Sequence, residues 1–184
     1  MQKILCGLFL SISSCAFADL SGLFVGGGLG YGTQSVSAFG SSTTLGTPSI
    51  KAFVGYQMAD WIGAEAGYTY ITQASNWNNL GAPSTTVYDL AFTPGFPIPA
   101  TPVTIYGRVG IDAVSPNLNS AWYSQIFSSV TADFEWGIGV KVNIPTTRVF
   151  VRAEYINYGS ATNNSNSNMT VTPSVFMINA AYVF

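Results

Sequence analysis

Apolar and polar side chains alternate with a period of two along much of this chain. Over residues 147–158, Val149, Val151, Ala153 and Tyr155 fall on one face, while Arg148, Phe150, Arg152, Glu154 and Ile156 fall on the other. Such alternation marks a strand, whose successive side chains point to opposite faces. Seven more runs share it, over residues 22–33, 49–58, 61–72, 86–93, 103–113, 131–143 and 175–184. In the second of these, Ile50, Ala52, Val54 and Tyr56 oppose Lys51, Phe53 and Gln57. The first run differs, because Leu23, Val25, Leu29 and Tyr31 oppose Phe24 and five glycines, Gly22, Gly26, Gly28, Gly30 and Gly32. A glycine-lined face leaves room for large side chains arriving from elsewhere. It lacks the Gly-x-Gly-x-x-Gly spacing and following helix of a phosphate loop.

The connections alternate as well. Segments 34–48, 73–85, 114–130 and 159–172 are long, whereas 59–60, 94–102 and 144–146 are shorter. Long loops at one end and short turns at the other are the pattern of outer-membrane barrels. All nine prolines are expected in connections or at strand ends, where a missing N–H costs the ladder least. Segment 94–102 is long for a turn, and stiffness is the one role its prolines suggest. Residues 163–168 read as a polar, low-complexity loop tip.

Charge turns this pattern inside out. Only 8% of the 184 residues are charged, against roughly 25% in an average soluble domain. Of six basic and eight acidic residues, Lys3, Asp19 and Asp60 lie outside the strands. The other 11 are Lys51, Glu65, Asp89, Arg108, Asp112, Asp133, Glu135, Lys141, Arg148, Arg152 and Glu154, each opposite the apolar face of its strand. The long connections carry no charge, although loops of a soluble protein are wet. The distribution fits a barrel whose apolar face meets lipid, where charge is expensive. Closure is then obligatory, because lipid offers no partner to an open sheet edge. Eight strands of about 9–11 residues make the smallest such barrel, with an interior that side chains fill. The predicted fold is therefore all-β, an eight-stranded antiparallel up-and-down transmembrane β-barrel.

Five basic and six acidic inward residues are close to balance, which predicts an ion-pair network rather than a pore lined by one sign. Glu65, Arg108, Lys141, Arg152 and Glu154 are its expected members, well paired because an unpaired buried charge is strongly destabilising. Aromatic residues form two expected interfacial girdles. Tyr56, Phe92, Tyr182 and Phe184 lie toward the short turns, and Tyr31, Tyr70, Tyr88, Phe134, Tyr155 and Phe176 toward the long loops.

The N-terminus adds a destination. Lys3, an apolar run over 4–12 and Ala16-Phe17-Ala18 make a cleavable signal peptide over residues 1–18, leaving the barrel domain as 19–184. A competing reading takes Ile12-Ser13-Ser14-Cys15 as a loose lipoprotein box with Cys15 acylated. Both cysteines, Cys6 and Cys15, lie in this segment, so cleavage after Ala18 removes disulfide and thiolate chemistry. A net charge of −2 and the absence of a basic run argue against a nucleic-acid partner.

No histidine is present, which removes Ser-His-Asp hydrolysis and histidine zinc sites. Glu65, Asp112, Glu135 and Glu154 remain as possible acid–base pairs, but nearby cations favour structural pairing. No catalytic residue, metal site or cofactor is expected.

Several short motifs carry a family resemblance. Gly55-Tyr56-Gln57 followed by Trp61-Ile62-Gly63-Ala64-Glu65-Ala66-Gly67-Tyr68 resembles strands two and three of the OmpA-like transmembrane barrels. Tyr106-Gly107-Arg108-Val109-Gly110 is similar to strand five, and Arg152-Ala153-Glu154-Tyr155 to strand seven. The resemblance implies a lumen network at Glu65, Arg108, Arg152 and Glu154. It also implies that Tyr182 and Phe184 belong to the C-terminal signal read by the barrel-assembly machinery, with Asn179 where that signal often has glycine. The family's peptidoglycan-binding domain is not expected after Phe184, so cell-wall tethering does not carry over. The expected protein is a Gram-negative surface antigen embedded in outer-membrane lipid, with long outward loops whose ligand the sequence does not name. A narrow or gated channel and a soluble lipocalin-like binding barrel are the alternatives.

Overall fold

The computed structural model describes residues 21–38, 41–73, 84–117, 131–162 and 170–184. The expected signal segment 1–18 and the loop tip 163–168 lie outside the described residues. Among the described residues nine strands follow in order: β1 (Gly22–Ala38), β2 (Ser41–Ala59), β3 (Ile62–Ile71), β4 (Ser84–Pro97), β5 (Val103–Asn117), β6 (Thr131–Asn143), β7 (Val149–Asn157), β8 (Ala161–Thr162) and β9 (Thr170–Val183). Every pairing is antiparallel. Each of β1 to β7 pairs with the next, β7 pairs with β9, and β9 returns to β1 from Phe24–Val183 to Ser37–Thr170. Those eight strands close the barrel. The two-residue β8 adds to β9 beyond the point where β7 ends.

Facing follows the alternation, with its sense inverted relative to a soluble protein. Leu29, Ile138 and Ile178 are 71%, 58% and 60% exposed, while Lys51, Glu65 and Arg108 are 3%, 2% and 1% exposed. Outward aromatic pairs stack edge-on, Tyr68 with Tyr88 at 5.4 Å and Tyr182 with Phe184 at 5.2 Å between centroids. Of the expected girdle residues, Tyr31, Tyr56 and Tyr155 are exposed and Tyr70 is half-buried. The glycine face of β1 lets the strand press against its neighbours. A Cβ at Gly28 would come within 2.6 Å of Asn179 Cγ, and one at Gly32 within 2.8 Å of Ile71.

Several strands run past their expected ends. Of segment 34–48, read as a long loop, residues 34–38 and 41–48 continue β1 and β2 in register from Thr33–Gly46 to Ala38–Ser41. Pro48, read as a loop residue, stands opposite Tyr31 within β2, and Pro173 stands opposite Gln34 within β9. Pro48 sits where the pairing of β2 with β3 has ended at Ser49–Ile71, an edge position that tolerates proline. On the other side, β4 carries Pro94 and Pro97 into pairing with β3 and β5, leaving 98–102 as the turn. Pro116 likewise lies within β5, opposite Thr85.

Two turns share one design. Ile98-Pro99-Ala100-Thr101-Pro102-Val103 and Ile144-Pro145-Thr146-Thr147-Arg148-Val149 repeat an Ile-Pro-x-Thr-x-Val frame. Thr101 N–H donates to Ile98 O at 3.2 Å, and Thr147 N–H to Ile144 O at 3.2 Å. Each threonine hydroxyl donates to the same carbonyl at 2.9 Å. Ala100 and Thr146 hold φ of 62° and 65°. Proline followed by a positive φ is the pattern of a type II turn. Pro99 thus sets turn geometry, a more specific role than stiffness.

This turn also corrects one inward assignment. Arg148, expected in the lumen, is exposed in the 144–148 turn, because β7 begins at Val149.

Candidate functional site

The barrel interior is filled in three layers. Strand β7 and the residue after it show the order: Phe150, then Arg152 and Glu154, then Ile156 and Tyr158, all buried. Toward the short turns, Phe24, Phe53, Phe150, Ala181 and Val183 form an apolar layer, with Phe24 packed edge-on against Phe150 at 5.4 Å and Phe53 at 6.1 Å. Toward the long loops, Ile71, Val87, Val114, Ile156, Tyr158, Ala161, Val175 and Met177 form a second.

An ionic layer lies between them. Arg108 ion-pairs with Glu65 and Asp89, and its Nε donates to Glu135 Oε1 at 3.0 Å. Arg152 donates to Glu65 through Nη1 at 2.6 Å and Nη2 at 3.1 Å, and lies 3.4 Å from Glu154. Lys51 Nζ stands 3.3 Å from Glu65, 3.7 Å from Glu154 and 3.9 Å from Asp89, paired by charge without a directed hydrogen bond. Neutral donors complete Glu154, with Tyr106 Oη and Asn179 Nδ2 each at 2.8 Å. The guanidinium of Arg152 also lies 4.2 Å from the Phe53 ring centre, joining the ionic layer to the apolar one below it.

Of the five expected network residues, Glu65, Arg108, Arg152 and Glu154 come together here. Lys141 points inward but sits nearer the short turns, where its ammonium donates to Gln57 Oε1 at 3.3 Å and lies 5.7 Å from the Phe150 ring centre. Gln57 in turn donates to Ile62 O at 3.1 Å, which ties Lys141 to the β2–β3 turn. The sequence pattern does name the added partners Lys51, Asp89 and Glu135 as inward charges. It gives no sign of Tyr106 and Asn179 as donors, since neither side chain is charged.

Asp112 and Asp133 occupy the outer end of the lumen, where they accept backbone N–H groups of Gly159 and Ser160. At the other end, Tyr182 and Phe184 lie on the outer surface, and Phe184 N–H donates to Leu23 O at 2.8 Å. Among the described residues, no group of three or more Asp or Glu side chains is arranged to hold a metal ion.

An arrangement with charged groups enclosed, apolar groups outward and no open sheet edge around its waist suits lipid as solvent. It is the inverse of a soluble lipocalin-like barrel. The family model for the outer membrane protein beta-barrel domain matches residues 4–184. No curated protein matches the chain closely enough to name a relative. Among solved structures, Ail, the attachment invasion locus protein of Yersinia pestis, in complex with the heparin analogue sucrose octasulfate, is 17% identical. The similarity covers 89% of this chain and 99% of Ail, with a TM-score of 0.52. Neisserial surface protein A is 16% identical over 89% of this chain and 98% of its own, with a TM-score of 0.54. OprG of Pseudomonas aeruginosa is 18% identical over 89% and 96%, with a TM-score of 0.53. At such identities the three share the fold, and the family match covers nearly the whole chain. The chain belongs to the outer membrane protein beta-barrel domain family, and it is a protein of the bacterial outer membrane.

Proposed function

We propose that this chain is a surface protein that acts through its outward segments and carries nothing through its lumen. The three-layer filling of the barrel is the observation that supports this reading. An ion crossing the barrel would have to displace Phe24, Phe53 and Phe150, break charge pairs, and then displace the upper apolar layer. With Arg148 in a turn, the lumen keeps four cations against six carboxylates, and the ion pairs among them hold the ionic layer between the two apolar ones. Neither a channel nor an enzyme is needed to explain any inward residue. Recording in planar bilayers tests the proposal directly. It expects a silent bilayer after insertion, and regular conductance steps would overturn it.

The outward segments set limits on a partner. All six cations are accounted for: Lys51, Arg108, Lys141 and Arg152 face the lumen, Arg148 lies in a short turn, and Lys3 precedes the barrel. Segments 34–48, 73–85, 114–130 and 159–172 carry neither cation nor anion. A sulfated ligand such as the one in the Ail complex therefore meets no lysine or arginine on these segments, and an uncharged partner surface is the better match.

Residues 1–18 act in this reading as a signal removed during export, and Tyr182 with Phe184 as the element that the assembly machinery reads. Mass measurement of the outer-membrane form checks the first point. A mature chain beginning at Asp19 is expected, whereas a lipid-modified Cys15 would overturn it.

A further inference from the structure

Past the end of β7 the chain stays beside β9, with Tyr158 N–H donating to Pro173 O at 3.1 Å, but leans inward over the outer mouth toward β5 and β6. Tyr158 drops into the upper apolar layer, 1% exposed, and shares a 2.8 Å hydrogen bond with Thr69. Gly159 N–H then donates to Asp112 Oδ2 at 2.6 Å, and Ser160 N–H to Asp133 Oδ2 at 2.8 Å. Ser160 Oγ lies 3.3 Å from the same Asp133 oxygen. Ala161 is buried, and it pairs with Val171 as Thr162 pairs with Thr170.

The register explains why these two carboxylates matter. Asp89, Asp112 and Asp133 stand directly opposite one another on β4, β5 and β6. Like charges so placed repel. Arg108 offsets Asp89, while the amides of Gly159 and Ser160 meet the other two. Space is tight at this contact, since a Cβ on Gly159 would lie 2.7 Å from Asp133 Cγ and 2.9 Å from Asp112 Oδ1.

We propose that residues 158–162 form a strap closing the outer mouth, and that Asp112 and Asp133 are the clamp that fastens it. The inference rests on the sealed-lumen reading and adds a separate device to it. With the clamp broken, Tyr158 leaves the mouth and water enters as far as the ionic layer, while the lower apolar layer still blocks passage. Asp112 and Asp133 are positioning residues here, acting through the backbone of the strap.

Val87, fully buried in the upper layer, offers a reporter position. The full chain carrying Cys6→Ser, Cys15→Ser and Val87→Cys is inserted into membranes and treated with a charged, membrane-impermeant thiol reagent. Slow labelling is expected. Adding Asp112→Ala with Asp133→Ala should speed labelling by about tenfold or more, the effect of losing charge-assisted hydrogen bonds. Gly159→Ala, which crowds the clamp from the strap side, should act in the same direction. Heat-modifiable mobility confirms that each variant remains a folded barrel, and bilayer recordings should stay silent. Unchanged labelling in both folded variants would overturn the clamp while leaving the sealed lumen intact. Fast labelling before the clamp is altered would overturn both.

Discussion

Arg152 grips Glu65 with both ends of its guanidinium, Nη1 to Oε2 at 2.6 Å and Nη2 to Oε1 at 3.1 Å. The two residues lie 87 positions apart, on β7 and β3. Glu65 also receives Arg108 and Lys51, so one carboxylate serves three cations. Replacing it by alanine leaves those cations enclosed without their common partner. Glu65→Ala is expected to cost about 3–5 kcal/mol, the range for breaking a buried charge pair. Denaturant unfolding in lipid vesicles measures it, and a loss below about 1 kcal/mol would contradict the network's structural role.

Arg148 and Arg152 separate two environments that the alternation treats alike. Arg148 is exposed in a turn, and Arg152 is 4% exposed between Glu65 and Glu154. Arg148→Ser should change stability by no more than about 0.5 kcal/mol. Arg152→Ser should lose about 3 kcal/mol or more by taking a buried cation from Glu65 and Glu154. Equal losses in the same unfolding assay would show that Arg148 does not lie in an exposed turn.

The paired Ile-Pro turns carry a cost that glycine relieves. Ala100 and Thr146 hold positive φ, which disfavours an L side chain by about 1–2 kcal/mol, while glycine's extra unfolded freedom returns part of that. Ala100→Gly and Thr146→Gly are each expected to raise stability by about 0.5–1 kcal/mol. Destabilisation by either change would argue against the turn conformation.

The C-terminal aromatic pair gives a prediction about biogenesis. Phe184 packs on Tyr182 at the outer surface and is 61% exposed, so it adds little to the core. Phe184→Ser should lower the amount assembled in cells while leaving refolding into vesicles nearly unchanged. Equal defects in both settings would make its role one of stability, and no defect in either would dismiss the assembly signal.

The strand faces were legible in the sequence because period two is strict wherever one face meets lipid and the other does not. The same rule failed where both faces are polar. Residues 34–38 and 41–47 are mostly Ser, Thr, Gln and Gly, so no contrast between faces marks them as strand. It also ran one step too far at Arg148, since alternation continues numerically into a turn. The charged side of the lumen was visible as unlike pairs, but its layering was not. Ile71, Val87 and Met177 resemble ordinary strand residues until the closed register stacks them above the charges. The strap was hidden for another reason, because Asp112 and Asp133 bond to backbone amides, which leave no trace in side-chain identity.

The apolar face of each strand meets lipid in this barrel. Trp136 tests it most directly, lying 47% exposed on the outward face of β6 beside Tyr155, with ring centres 6.0 Å apart. A variant in which Trp136 is the sole tryptophan is inserted into vesicles containing brominated lipid. Strong quenching by the lipid with little quenching by aqueous acrylamide is the predicted result. Efficient quenching by acrylamide and none by brominated lipid would show that this face meets water.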